Sequence, residues 1–176
     1  MSVEIIAEAG VNHNGDLEKA KKLIYEASYA GANYIKFQSF ITADIISKKA
    51  PKAEYQKIDS SDTETQYDMV KKLELSKSMH FSILKHCKKN NINFLSTAFD
   101  IRSLEFIKKI GCDSIKIPSG EINNFLLLRE INLNKHKIFL STGMSTISEI
   151  ANCINFIAKS NIYSIYKNKV KIKSKS

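Results

Sequence analysis

No run in the sequence approaches the roughly 18 apolar residues that a membrane-spanning helix requires, so no membrane association is expected. The opening residues, MSVEIIAEAG, show no basic stretch followed by a long apolar block, and no secretory signal is expected there. Cysteine is scarce. Cys87, Cys112 and Cys153 are isolated, odd in number and without the paired spacing of a metal site. Reduced thiols in a cytoplasmic protein account for them most simply. Histidine is sparse too. His13 sits in NHNG with no second histidine at ligand spacing, because His80, His86 and His136 fall in helical or loop segments, so no metal ligand is assigned.

Acid is missing from the C-terminal end. Residues 167–176, KNKVKIKSKS, carry five of the 27 basic residues and none of the 18 acids, and so supply more than half of the formal net charge of +9. A basic tail can contact nucleic acid. A solvated end is the stronger expectation, and residues 161–176 are read as a basic, disordered tail behind one domain over residues 1–160. The rest of the chain is mildly positive, which suits an anionic small molecule. At 43% hydrophobic and 26% charged residues, the composition is that of a chain with one core.

Short apolar runs alternate with amphipathic segments. The runs are residues 3–9, 33–40, 92–99, 113–118 and 137–142; the helical segments are 17–30, 78–90, 101–110, 123–133 and 147–159. Asp16 is an N-cap candidate, and Gly31 and Gly111 stand where left-handed C-caps are expected. About five strand–helix units imply an α/β fold with a parallel sheet. Periodicity alone leaves open a doubly wound sheet or a barrel, but the strands favour the barrel. A sheet buried on both faces reads as continuous Val, Ile and Leu. Here Ala7 and Ala9 flank Glu8, Ile35 and Phe37 flank Lys36 with Gln38 on its parity, and Ile115 and Ile117 flank Lys116. One parity can pack on helices while the other faces a common interior. The charges lie toward the C-terminal ends of their runs, where barrels carry their chemistry. The connection over residues 41–65 is unusually long for a loop, and is either functional or a tolerated insertion.

Glu8, Lys36 and Lys116 are the core of the candidate site. Charges in apolar strands need partners or a ligand, and two lysines beside one glutamate leave positive charge for an anion. A structural ion-pair network is the competing account. Ser96, Thr97, Ser119, Ser141 and Thr142 lie at the ends of other strands, where hydroxyls and free N–H groups can hold phosphate oxygens, although such residues also cap helices. Glu121 follows Gly120 and can orient water or a sugar hydroxyl, or simply complement a helix dipole.

The segments IAEAGVNHNGDLEKAKKLI, GANYIKFQSF, APKAEYQ, FLSTAFD, IKIPSGEINN and FLSTGMSTISEI occur in an order and spacing that resembles the sialic acid synthase family, which includes N-acetylneuraminate synthases and their legionaminate and pseudaminate relatives. The resemblance implies part of a TIM barrel and a phosphoenolpyruvate-dependent transferase that forms a C–C bond. In such enzymes C3 of phosphoenolpyruvate attacks the aldehyde of N-acetylmannosamine or a related N-acetylated amino sugar, water adds at C2, and phosphate leaves. By resemblance, Lys36, Thr97, Lys116, Ser119 and Ser141 match the phosphoenolpyruvate site. Glu8, Gln38 and Glu121 match catalytic positions near sugar, metal or water, and the long loop with Lys52, Glu54 and Tyr55 covers the sugar. The family also uses manganese or magnesium as a Lewis acid and forms homodimers. Two departures stand out. Ala98 replaces a usual proline. The family's histidine metal ligands, a sugar-contacting acid and an antifreeze-like domain come from later segments with no counterpart here. An eight-unit barrel takes about 250 residues, so a truncated barrel of five units, inactive alone, is expected. The alternative is a non-catalytic phosphate-binding or sugar-phosphate-binding remnant.

Overall fold

The computed structural model describes residues 3–50, 65–131, 133 and 135–167, with side chains described as far as residue 159. Five parallel strands form one sheet in the order of the sequence: β1 (Ile6–Gly10), β2 (Tyr34–Ser39), β3 (Asn93–Ala98), β4 (Ser114–Ile117) and β5 (Lys137–Leu140). Each crossover therefore steps one strand in the same direction. Right-handed connections then place the helices on one face, unlike the two covered faces of a doubly wound sheet. The helices are α1 (Leu17–Tyr29), α2 (Thr42–Ile45), α3 (Gln66–Lys71), α4 (Lys77–Lys89), α5 (Ile101–Lys109), α6 (Phe125–Leu128) and α7 (Ile147–Lys167). Among the described residues, no helix is long and apolar enough to cross a membrane.

The sheet is curled. Tyr34 on β2 and Phe139 on β5 meet edge-to-face with ring centroids 5.6 Å apart, although β3 and β4 lie between them. In a flat sheet three strand spacings would separate those positions by about 14 Å, with side chains standing perpendicular to the sheet. Lys137 on β5 sits 5.6 Å from the Tyr34 ring and reaches Glu4, just before β1. The two edges thus bend toward each other at their N-terminal ends, giving the wall of a (β/α) barrel with a concave inner face.

The outer face holds the core. Ile35, Phe37, Phe94, Ile115 and Ile117 pack with Ile24 of α1, Ile83 of α4, and Leu104 and Ile107 of α5. Local signals shape the helix ends. Asp16 accepts from the Glu18 and Lys19 N–H groups at 2.7 and 3.1 Å. Schellman turns close α1 at Gly31, α4 at Asn91 and α5 at Gly111, with N–H bonds from Ala32 to Ala27, Ile92 to Cys87 and Cys112 to Ile107. Each turn feeds the chain directly into the next strand.

Three sequence expectations change. The expected helix over residues 123–133 is reduced to the short α6, preceded by a 3-10 turn at Ser119–Glu121. Asn124 caps α6 through the Leu127 N–H, and Glu130 and Ile131 already bond three residues back, which tightens the chain so that Ile131 turns into the core. The long 41–65 connection contains α2 and leads into α3, which opens with a capping box between Thr65 and Asp68. Tyr55, Lys52 and Glu54 lie outside the described residues. Finally, α7 continues to Lys167, beyond the expected helical segment 147–159.

Gly15 is held in the turn after β1 at φ +74°, and a Cβ there would sit 2.4 Å from the Lys72 carbonyl oxygen. Gly31 has a similar φ of +82° with open space around it. Gly31→Ala is expected to cost about 1 kcal/mol, the left-handed penalty alone. Gly15→Ala adds a backbone clash and is expected to cost about 3 kcal/mol. Thermal unfolding of the two variants checks this, and equal losses would contradict it.

Candidate active site

Strand register assembles the site. Glu8 is aligned with Lys36, Gln38 with Thr97, and Thr97 with Lys116. Residues aligned across parallel strands share a face, so all five belong to the concave side, opposite the helix-packed Ile35, Phe37, Ile115 and Ile117. Lys36 pairs with Glu8. The Lys36 side chain is only 12% exposed, whereas Glu8 keeps 54% of its own in water, so the pair opens toward solvent on the acid's side. Thr97 is buried between its neighbours.

Lys116 donates to Ser141 Oγ and, at 2.9 Å, to the Ile117 carbonyl. Burial pushes the Lys116 pKa below the ordinary lysine value, the Lys36 charge lowers it further, and Glu8 partly opposes this. The three groups therefore share one electrostatic environment in which two ammonium groups face one carboxylate. Glycines keep the surface open. A Cβ on Gly10 would lie 3.3 Å from Glu8 Oε1 and 3.7 Å from Gln38 Nε2, and one on Gly143 would lie 3.6 Å from Ser119 Oγ. Ser119 thus sits beside the loop that follows β5.

One candidate is engaged locally, and one lies on the opposite face of the sheet. Glu121 is engaged by Asn124 Nδ2 at 2.6 Å, within its own turn. Ser96 lies on the helix-packed face, bonded to Ser39, because its parity is opposite to that of Thr97. Asn124 and Gly10 shape the site without having been singled out by sequence. Asn124 lay inside an expected helix, and the value of Gly10 depends on which side chains flank it in space. His13 is fully buried against Phe37, with Nδ1 accepting from the Gly15 N–H at 3.0 Å and Nε2 without a hydrogen-bond partner among the described residues.

Among the described residues, no three His, Cys, Asp or Glu side chains are placed to hold a metal ion. The described residues by themselves thus offer no complete ligand set for the metal that the resemblance implies.

The NeuB family model matches residues 23–169. The chain belongs to the NeuB family. It is 50% identical over 155 residues to the N,N'-diacetyllegionaminic acid synthase of Campylobacter jejuni, covering 88% of this chain and 46% of that protein. It is 43% identical over 157 residues to the enzyme of the same name from Legionella pneumophila, covering 89% and 44%. The crystal structure of N-acetylneuraminic acid synthetase from Leptospira borgpetersenii, in complex with citrate, superposes with a TM-score of 0.77 at 32% identity, covering 91% of this chain and 51% of that one. The chain spans about half the length of the curated NeuB relatives it matches. The family match begins within α1 and extends past α7, and so includes Lys36, Gln38, Thr97, Lys116, Ser119 and Ser141.

Proposed function

We propose that this NeuB-family chain supplies the phosphoenolpyruvate-binding wall of a sugar-acid synthase, one that joins phosphoenolpyruvate to N-acetylmannosamine or a related N-acetylated amino sugar and releases phosphate. The observation that carries this reading is the pair of lysines, Lys36 and Lys116, on one concave face with a single carboxylate to offset them. An incoming phosphate and carboxylate would relieve the repulsion that lowers the Lys116 pKa. Ser141, already bonded to Lys116, and Ser119 beside Gly143 are placed to donate to the same oxygens. Thr97 stands in register between Gln38 and Lys116, which suits a donor at the centre of the anion. Glu8 and Gln38 converge near Gly10 and would meet the sugar. Glu121 would act on sugar or water once released from Asn124. Tyr55 belongs to this proposal through resemblance. Homodimerisation and a cytoplasmic setting are part of the same reading.

Titrating the 176-residue chain with phosphoenolpyruvate, followed by calorimetry, tests it. Saturable one-site binding is expected, and Lys36→Ala should weaken it about tenfold or more through loss of a charge-assisted contact. Adding N-acetylmannosamine and Mn²⁺ to this chain alone is expected to release no phosphate. Absence of saturable binding would remove the proposal.

A further inference from the structure

Behind the concave face lies a second polar cluster. Ser39 Oγ is 2.7 Å from His80 Nε2 and 2.7 Å from Ser96 Oγ, and all three residues are buried. His80 Nδ1 is 2.9 Å from the Ser76 carbonyl oxygen. A carbonyl only accepts, so Nδ1 carries a proton. Burial pushes the His80 pKa down, which keeps the ring neutral and makes Nε2 an acceptor. Ser39 must then donate to His80, and Ser96 must donate to Ser39. The chain of donors has one direction and ends on a carbonyl.

Its position matters more than its chemistry. Register aligns Phe37 with Ser96, Gln38 with Thr97, and Ser39 with Ala98. The Ser39–Ser96 bond is therefore a diagonal that crosses directly behind the Gln38–Thr97 pair, one residue away on each strand and on the opposite face. His80 anchors that diagonal to α4, and the Phe99 N–H adds a bond to the Ser39 carbonyl at 3.2 Å. Among the described residues, no other pair of neighbouring strands is joined by a hydroxyl-to-hydroxyl bond. A polar group buried in an otherwise apolar layer holds one geometry because its alternatives leave it unpaired.

We infer that Ser39, Ser96 and His80 are positioning residues: they clamp the C-terminal ends of β2 and β3 and so set the placement of Gln38 and Thr97 on the concave face. The ligand in this inference rests on the phosphoenolpyruvate reading; the clamp itself does not. An outer cleft of about 460 Å³ borders Ser39, His80, Leu75 and Phe106, so the space left by a removed hydroxyl adjoins an existing cavity. Loss of one hydroxyl is therefore expected to leave the chain folded.

The test uses Ser39→Ala and Ser96→Ala, with Ser39→Thr as the variant that keeps the hydroxyl. In both alanine variants, amide hydrogen exchange at Gln38 and Thr97 should rise about tenfold while Ile24 in α1 is unchanged, and phosphoenolpyruvate should bind about tenfold more weakly, as is typical for loss of a supporting hydrogen bond behind a ligand site. Ser39→Thr should restore both. Exchange that rises equally at Ile24, or that does not rise at Gln38 and Thr97, would overturn the clamp. If the unmodified chain itself fails to bind phosphoenolpyruvate, the functional reading fails, and the exchange measurement alone still decides the clamp.

Discussion

Lys116→Met is expected to eliminate most phosphoenolpyruvate binding while making the chain more stable. The ammonium is partly buried, faces the like charge of Lys36 and, among the described residues, has Ser141 and a carbonyl as its hydrogen-bond partners. A ligand with phosphate and carboxylate groups would bond directly to it, so its removal should cost about 3 kcal/mol of binding, or about a hundredfold in affinity. The folded state lowers this pKa. Between the folded and unfolded values the unfolded chain therefore binds more protons, and stability rises with pH across that window. Below the window the charge counts against the fold. Methionine removes that cost at neutral pH, and gains of this kind run to about 1 kcal/mol, or about 2–4 °C in Tm for a chain of this size. Binding has the opposite dependence, because an anion favours charged Lys116. Affinity should fall as pH rises through a range below the ordinary lysine pKa. Calorimetric titration and thermal melting of the same variant check both effects. Undiminished affinity in Lys116→Met would remove this lysine from the site.

The largest loss of stability is expected from Phe37→Ala. Phe37 has no exposed surface and lies 6.0 Å from the Phe94 ring, with which it stacks, and 6.0 Å from the buried His13 ring. Truncation leaves a cavity where β2, β3 and the turn after β1 converge. Such changes cost about 4 kcal/mol, against a total of about 5–15 kcal/mol for a typical domain. Circular dichroism should show the cooperative thermal transition lost or shifted far downward. Phe37→Leu, which keeps most of the volume, should cost only about 1.5 kcal/mol. Tyr29→Ala, at a residue 81% exposed, should change little. A Phe37→Ala protein that melts like the parent would show that this junction is not where the sheet and helices are held together.

Several features of the molecule follow from short stretches of chain. The Asp16 cap and the glycines ending α1 and α5 act through neighbouring backbone groups, so composition at those positions was enough. Alternation of charged and apolar residues around Lys36 and Lys116 assigned the two faces of each strand, because side-chain direction along a strand has a period of two. Other features depend on partners far away in sequence. The serine-threonine pair in β3 looks like one phosphate-binding motif, yet only Thr97 faces the concave side while Ser96 bonds to Ser39 and so to His80.

Local periodicity, caps and motif order thus determined a parallel α/β chain, the polar parity of its strands and its resemblance to sialic acid synthases. The curl that brings Tyr34 to Phe139, the register that aligns Gln38, Thr97 and Lys116, and the clamp behind them were decided by tertiary structure alone. The reason is physical: side-chain alternation is a property of one strand, whereas register and curvature are set by how several strands and their helices pack together.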